Sequence, residues 1–151
     1  MNPYRYLVLE HDLIDPIPMH TSERLTYEQM RKLVGGTIEA TYPLLWVSGK
    51  LREEAGDGPL IWMGEEARMT NPYTNYTATA MNRKSYGYNM VGDGVVTSSE
   101  DRDDGDFEGI SNDELVNLVL IYPELQESQM PIMTFETVMA YRKSRREVNN
   151  T

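Results

Sequence analysis

The side chains best suited to chemistry are few in this chain. His11 and His20 are its only imidazoles, and it contains no cysteine. The two histidines stand nine positions apart, without the His-x-x-x-His spacing of a helical metal site. No Gly-x-Ser-x-Gly elbow accompanies them, so a Ser-His-Asp hydrolase is not spelled out either. Without cysteine there is no thiolate nucleophile, no disulfide and no zinc–thiolate site. Catalysis by either histidine is therefore not expected. The acidic run Glu100–Glu108 invites a calcium reading. With Gly109 as the turn glycine, Asp104, Asp106 and Glu108 take the first, third and fifth ligand positions. The twelfth position is then Leu115, where a bidentate Glu is needed, so a solvated hairpin loop is the better reading. Gly35-Gly36 and Gly92-Asp-Gly94 lack the Gly-Lys-Ser/Thr of a phosphate loop. No metal, cofactor or catalytic residue is assigned.

The strongest candidate surface is Asn71–Asn89, which holds Tyr73, Tyr76, Tyr86, Tyr88, Asn71, Asn75, Asn82 and Asn89. Its only charges are Arg83 and Lys84. Tyrosine gives large contact area at small entropic cost. A ring beside a cation can stack a base while the cation holds its phosphate. The candidate ligand-binding residues are Arg83, Lys84, Tyr86, Tyr88, Asn71 and Asn75. Helical spacing assigns Tyr73 and Tyr76 to a core-facing side. Tyr86 and Tyr88 flank Gly87 in an expected loop and should line the principal concave surface.

The formal charge of −10 constrains partners. Arg142, Lys143, Arg145 and Arg146 against Glu147 make the last eleven residues +3, which leaves −13 on the rest. Such a body should repel nucleic-acid phosphates, and direct nucleic-acid binding is not expected. Solubility is the plain reading of the charge. The alternative is an acidic DNA mimic that inhibits a nucleic-acid-binding host protein. The basic end of the last helix complements its dipole. No apolar run approaches the ~18 residues of a membrane span, and no signal-peptide core follows the N-terminus. A cytoplasmic protein is expected, with self-association into a homo-oligomer left open.

The elements that would position these residues are well marked. Thr26 and Gln29 form a capping box, Leu25 and Met30 a hydrophobic staple, and Gly35 a left-handed helix end. Alternation then gives a strand from Ile38 that Pro43 stops. Arg5–Glu10, apolar on both faces, reads as an interior strand. Asp12–Ser22, with Pro16 and Pro18, reads as a connection. Leu44–Pro59 reads as an excursion carrying Trp46, and Leu60–Met63 as a buried strand. Asn71-Pro72 reads as a helix start, with the chain loosening from Asn82. Met90–Ser98 and Phe107–Gly109 read as the two arms of a hairpin. Ser111 with Glu114 caps a helix that Pro123 ends, and Thr134 caps a last one over Met133–Val148, with Phe135, Val138, Met139 and Arg142 on one side. The whole predicts a single small α+β domain, a mostly antiparallel sheet with three to four helices against it. Residues 1–122 form its core, and 123–151 a C-terminal helical extension.

The order of these motifs also carries a resemblance. Val34–Glu39, Gly64–Ala67, Asn71–Pro72, Val91–Gly94 and Asp104–Ser111 resemble the pattern of an uncharacterised family of short, mostly phage-borne domains of unknown function. The resemblance covers roughly residues 4 to 121 and departs at Leu44–Pro59 and after Pro123. It implies a phage accessory gene and a host-cell cytosolic setting, and it supplies no catalytic residues. The function expected is a non-enzymatic accessory protein that binds a host factor or a small nucleotide, counteracting host defence.

Overall fold

The computed structural model describes residues 1–41, 59–86, 89–99 and 105–149. Five strands make one antiparallel sheet: β1 (Tyr4–Leu9), β2 (Ile17–Thr21), β3 (Ile38–Thr41), β4 (Leu60–Gly64) and β5 (Gly94–Thr97). Their order is β2-β1-β5-β4-β3. The helices are α1 (Tyr27–Val34), the single turn α2 (Ala67–Thr70), α3 (Tyr76–Tyr86), α4 (Asn112–Ile121) and α5 (Phe135–Asn149), with a 3₁₀ turn at Pro123–Glu127. This is the expected α+β class.

Period-two alternation explains why both faces of the sheet are covered. Along β1, Tyr6 and Val8 enter a core with Met30, Leu33 and Val34 of α1 and Val138 of α5. Leu7 and Leu9 enter the opposite core with Ala78 and Met81 of α3 and Leu118 of α4. Each fully buried aliphatic side chain contributes about 1.5–3 kcal/mol. Met133 and Val138 lie in the same core as β1, so the chain beyond Pro123 packs into the body of the fold. The central strand β5 is buried along its whole length. At its Gly94 a Cβ would collide with Met63 Sδ and lie 3.1 Å from the Trp62 carbonyl oxygen, so a larger residue there would need the Met63 side chain to move.

Local signals form where the sequence puts them. Thr26 and Gln29 make both bonds of the capping box, and Gly35 ends α1 at φ 88°. Ser111 and Glu114 repeat the box on α4. Thr134 Oγ1 accepts the Thr137 N–H at the start of α5.

Four expectations are corrected. The connection through Pro16 and Pro18 contains β2, paired antiparallel with β1, with Leu7 opposite Pro18. Proline is tolerated because β2 is an edge strand, and that edge is partly covered by bonds between Met133 and both Pro18 and His20. The helix foreseen at Asn71 starts five residues later, at Tyr76; Asn71 instead closes α2. Asn75 is its cap, its Oδ1 accepting the Ala78 N–H. The chain does not loosen at Asn82, because no glycine or proline interrupts α3 before Tyr86. Finally, Phe107–Gly109 forms no strand, although one backbone bond, from the Ser98 N–H to the Glu108 carbonyl at 3.1 Å, joins the two expected arms. Phe107 bridges to Leu25, and Ile110 N–H bonds Arg5 carbonyl. The excursion with Trp46 lies outside the described residues, as do Asp101, Asp103 and Asp104 of the acidic loop.

Candidate functional site

The register of the two inner strands brings the site together. Leu9 of β1 pairs with Gly94 of β5, so the residues just beyond, Glu10, His11 and Asp12, meet Asp93. Asp93 Oδ1 accepts from the His11 backbone N–H at 3.0 Å and lies 2.8 Å from His11 Nδ1. In the tautomer that carries its proton on Nδ1, the ring donates to this carboxylate and presents Nε2 as an acceptor.

The last helix supplies the cations. Arg142, Arg145 and Arg146 share one face of α5 at positions i, i+3 and i+4. Arg142 Nε donates to Glu10 Oε1 at 2.8 Å, and Arg145 forks onto Asp12 at 2.6 and 3.2 Å. Arg146 Nη2 reaches Asp93 at 2.8 and 2.9 Å and Glu10 Oε2 at 3.1 Å. Burial alone would raise the Asp93 pKa. The His11 hydrogen bond and the Arg142 and Arg146 charges outweigh it, and they hold the carboxyl far below its usual range. Removing such charges from water is costly, and only this mutual pairing offsets it. The pairing is nonetheless incomplete. Arg142 Nη2, Arg145 Nη1 and Arg146 Nε are buried without a hydrogen-bond partner.

A cleft of about 820 Å³ opens beside this network. His11, Asp93, Arg142 and Arg146 line its inner part, Lys32 and Gly35 at the end of α1 one side, and Asn71, Tyr73 and Tyr76 another. Tyr73 stacks on His11, with centroids 5.3 Å apart and planes 16° from parallel. It is nevertheless 67% exposed, and Tyr76 70%. One face of the Tyr73 ring therefore rests on imidazole while much of the rest is open to solvent.

Asn75 is the hidden organiser of the tyrosine wall. Fully buried, it donates from Nδ2 to the Leu9 and Gly92 carbonyls at 2.8 Å each, while its Oδ1 caps α3. The Gly92 N–H also bonds the Tyr73 carbonyl. These bonds, with one from the Asn75 N–H to the Met90 carbonyl, pin the tyrosine segment to the end of β1 and to the chain that leads into β5.

The sequence-derived candidates are placed unevenly. Asn71 lines the cleft, its Nδ2 3.3 Å from His11 Nδ1. Asn75 is a buried capping residue with its polar atoms engaged internally, a correction to its assignment as a ligand contact. Arg83, Lys84 and Tyr86 fall in the last turns of α3, with side chains outside the described ones, and Tyr88 lies outside the described residues altogether. Tyr73 and Tyr76, assigned to the core by helical spacing, are exposed because the helix starts later than Asn71. His11, Asp93, Arg146 and Lys32 were not anticipated. One signal was legible, since Arg142 shares a helix side with Val138, and a cation on a buried face demands a buried carboxylate. Among the described residues, no three His, Asp or Glu side chains gather to hold a metal ion. No helix there is long and apolar enough to cross a membrane.

No protein-family model, no curated protein and no solved structure matches the chain.

Proposed function

We propose that the protein binds a small ligand with a planar ring, of the nucleobase class, in the cleft beside Tyr73 and Tyr76. The observation that carries this is the Tyr73 ring, backed by His11 yet two-thirds exposed on the cleft wall. A ring held flat by a neighbour is a preorganised stacking platform, and stacking a base on such a platform is worth about 1–3 kcal/mol. Asn71 and Thr74 beside it offer the donors and acceptors that a base edge requires. The role is that of a binding protein, and the phage accessory origin implied by the sequence pattern belongs to the same proposal.

The test is calorimetric titration with a panel of purine and pyrimidine nucleosides. At least one should bind, Tyr73→Ala should weaken it by about 1–3 kcal/mol, and Tyr73→Phe should keep most of the affinity. Absence of binding by every nucleoside and nucleotide at millimolar concentration overturns the reading.

A second reading, a host protein docking on the rim, is favoured by Met69, which is 85% exposed on the segment that leads into the tyrosine wall. Met69→Ala would weaken such a partner and leave nucleoside affinity unchanged, since Met69 does not line the cleft.

A further inference from the structure

The inner end of the cleft has a chemistry of its own. Arg142, Arg145 and Arg146 face three carboxylates, Glu10, Asp12 and Asp93, and Lys32 lines the same cleft as a fourth cation. The site is thus locally positive on a chain of net charge −10. Arg142 is 8% exposed and lines the cleft, yet its Nη2 has no partner, and Arg146 Nε beside it has none either. The negative end of α1 is already engaged, since Arg142 Nη1 donates to the Lys32 carbonyl at 3.2 Å. A buried guanidinium N–H left unpaired costs stability, and an oxyanion is the partner whose geometry matches it best.

Building on the proposed ring-binding role, we propose that the inner end of this cleft is a phosphate subsite, so that the ligand is a nucleotide rather than a nucleoside. The base lies against Tyr73, and the phosphate reaches inward to the guanidinium groups of Arg142 and Arg146, which must turn to bring the buried Arg142 Nη2 and Arg146 Nε onto it, with Lys32 closing from the end of α1. Arg146 is the adjustable member. Its Nη2 nitrogen carries two protons but serves Asp93 and Glu10 together, so a modest rotation frees a donor for the incoming oxyanion.

The experiment compares three probes on the full chain: a nucleoside that binds, its 5′-monophosphate, and inorganic phosphate as competitor. The monophosphate should bind about tenfold or more tightly than the nucleoside, the order expected of one charge-assisted contact, and the gain should shrink as salt rises. Inorganic phosphate should compete with the monophosphate and not with the nucleoside. Arg146→Gln should remove most of the gain, and Lys32→Ala, a change at an exposed position, should reduce it without lowering the melting temperature. If Arg146→Gln fails to fold, the Lys32 variant decides. Equal affinity for nucleoside and monophosphate overturns the subsite while leaving the ring-binding role standing; absence of binding by both overturns the two together.

Discussion

Arg142 Nε of the last helix donates a 2.8 Å hydrogen bond to Glu10 Oε1, a side chain with no exposed surface at the end of the first strand. This bond ties α5 to the sheet. Neither residue can lose this partner cheaply, because among the described residues Glu10 would keep only the longer contacts from Arg145 and Arg146, and Arg142 only the Lys32 carbonyl. Arg142→Met should cost about 3–5 kcal/mol in urea denaturation, and the double variant Glu10→Gln/Arg142→Met clearly less than the sum of the singles. Additive losses would show that the pair is not coupled.

Acid should act through Asp93. Its folded pKa is depressed below the ordinary 3.8, so its stabilisation is fully present above that value and is lost as pH falls below it toward the folded pKa. Melting temperature should therefore drop steeply below pH 3.8. Asp93→Asn should start lower at neutral pH and fall less over the same interval. Parallel curves for the two proteins would contradict the pairing with His11 and Arg146.

At the alkaline end the reporter is Tyr6. Burial pushes its hydroxyl from 10.0 to about 12, and the hydroxyl accepts from Leu25 N–H while donating to the Phe107 carbonyl at 2.6 Å. A raised folded pKa means stability that is intact below pH 10 and lost between 10 and 12. The loss amounts to about 2–3 kcal/mol. Tyr6→Phe should be less stable at pH 8 and lack that share of the alkaline decline, as followed by circular dichroism against pH.

Gly35 tests the turn that feeds the sheet. Its φ of 88° is left-handed, and a Cβ there meets no neighbour, so strain alone decides the outcome. Gly35→Val should cost about 1–2 kcal/mol, and an unchanged melting temperature would argue against the helix end.

What the sequence reveals is local. Thr26 with Gln29, Ser111 with Glu114, and the alternation of Tyr6 to Leu9 each signal structure through neighbours a few positions away. β2 escapes because its prolines argue against a strand, and only its edge position makes them harmless. The start of α3 escapes because two Asn residues four apart both look like caps, and tertiary bonds to Leu9 and Gly92 select Asn75. The site is less legible still. Glu10, Asp93 and Arg142 are far apart in sequence and meet only through the pairing of Leu9 with Gly94 and the docking of α5. Among the described residues of the tyrosine-rich stretch, Asn71, Tyr73, Thr74 and Tyr76 line the cleft, and of these the pattern had named only Asn71 as a ligand contact.

The most direct test of ring binding is the contact itself. An NMR measurement of intermolecular NOEs, with the tightest nucleotide of the panel saturating the protein, reads it without mutation. Cross-peaks from the base protons to the ring protons of Tyr73 and Tyr76 are the predicted result. A bound nucleotide whose base protons show NOEs only to residues outside the cleft would contradict the account.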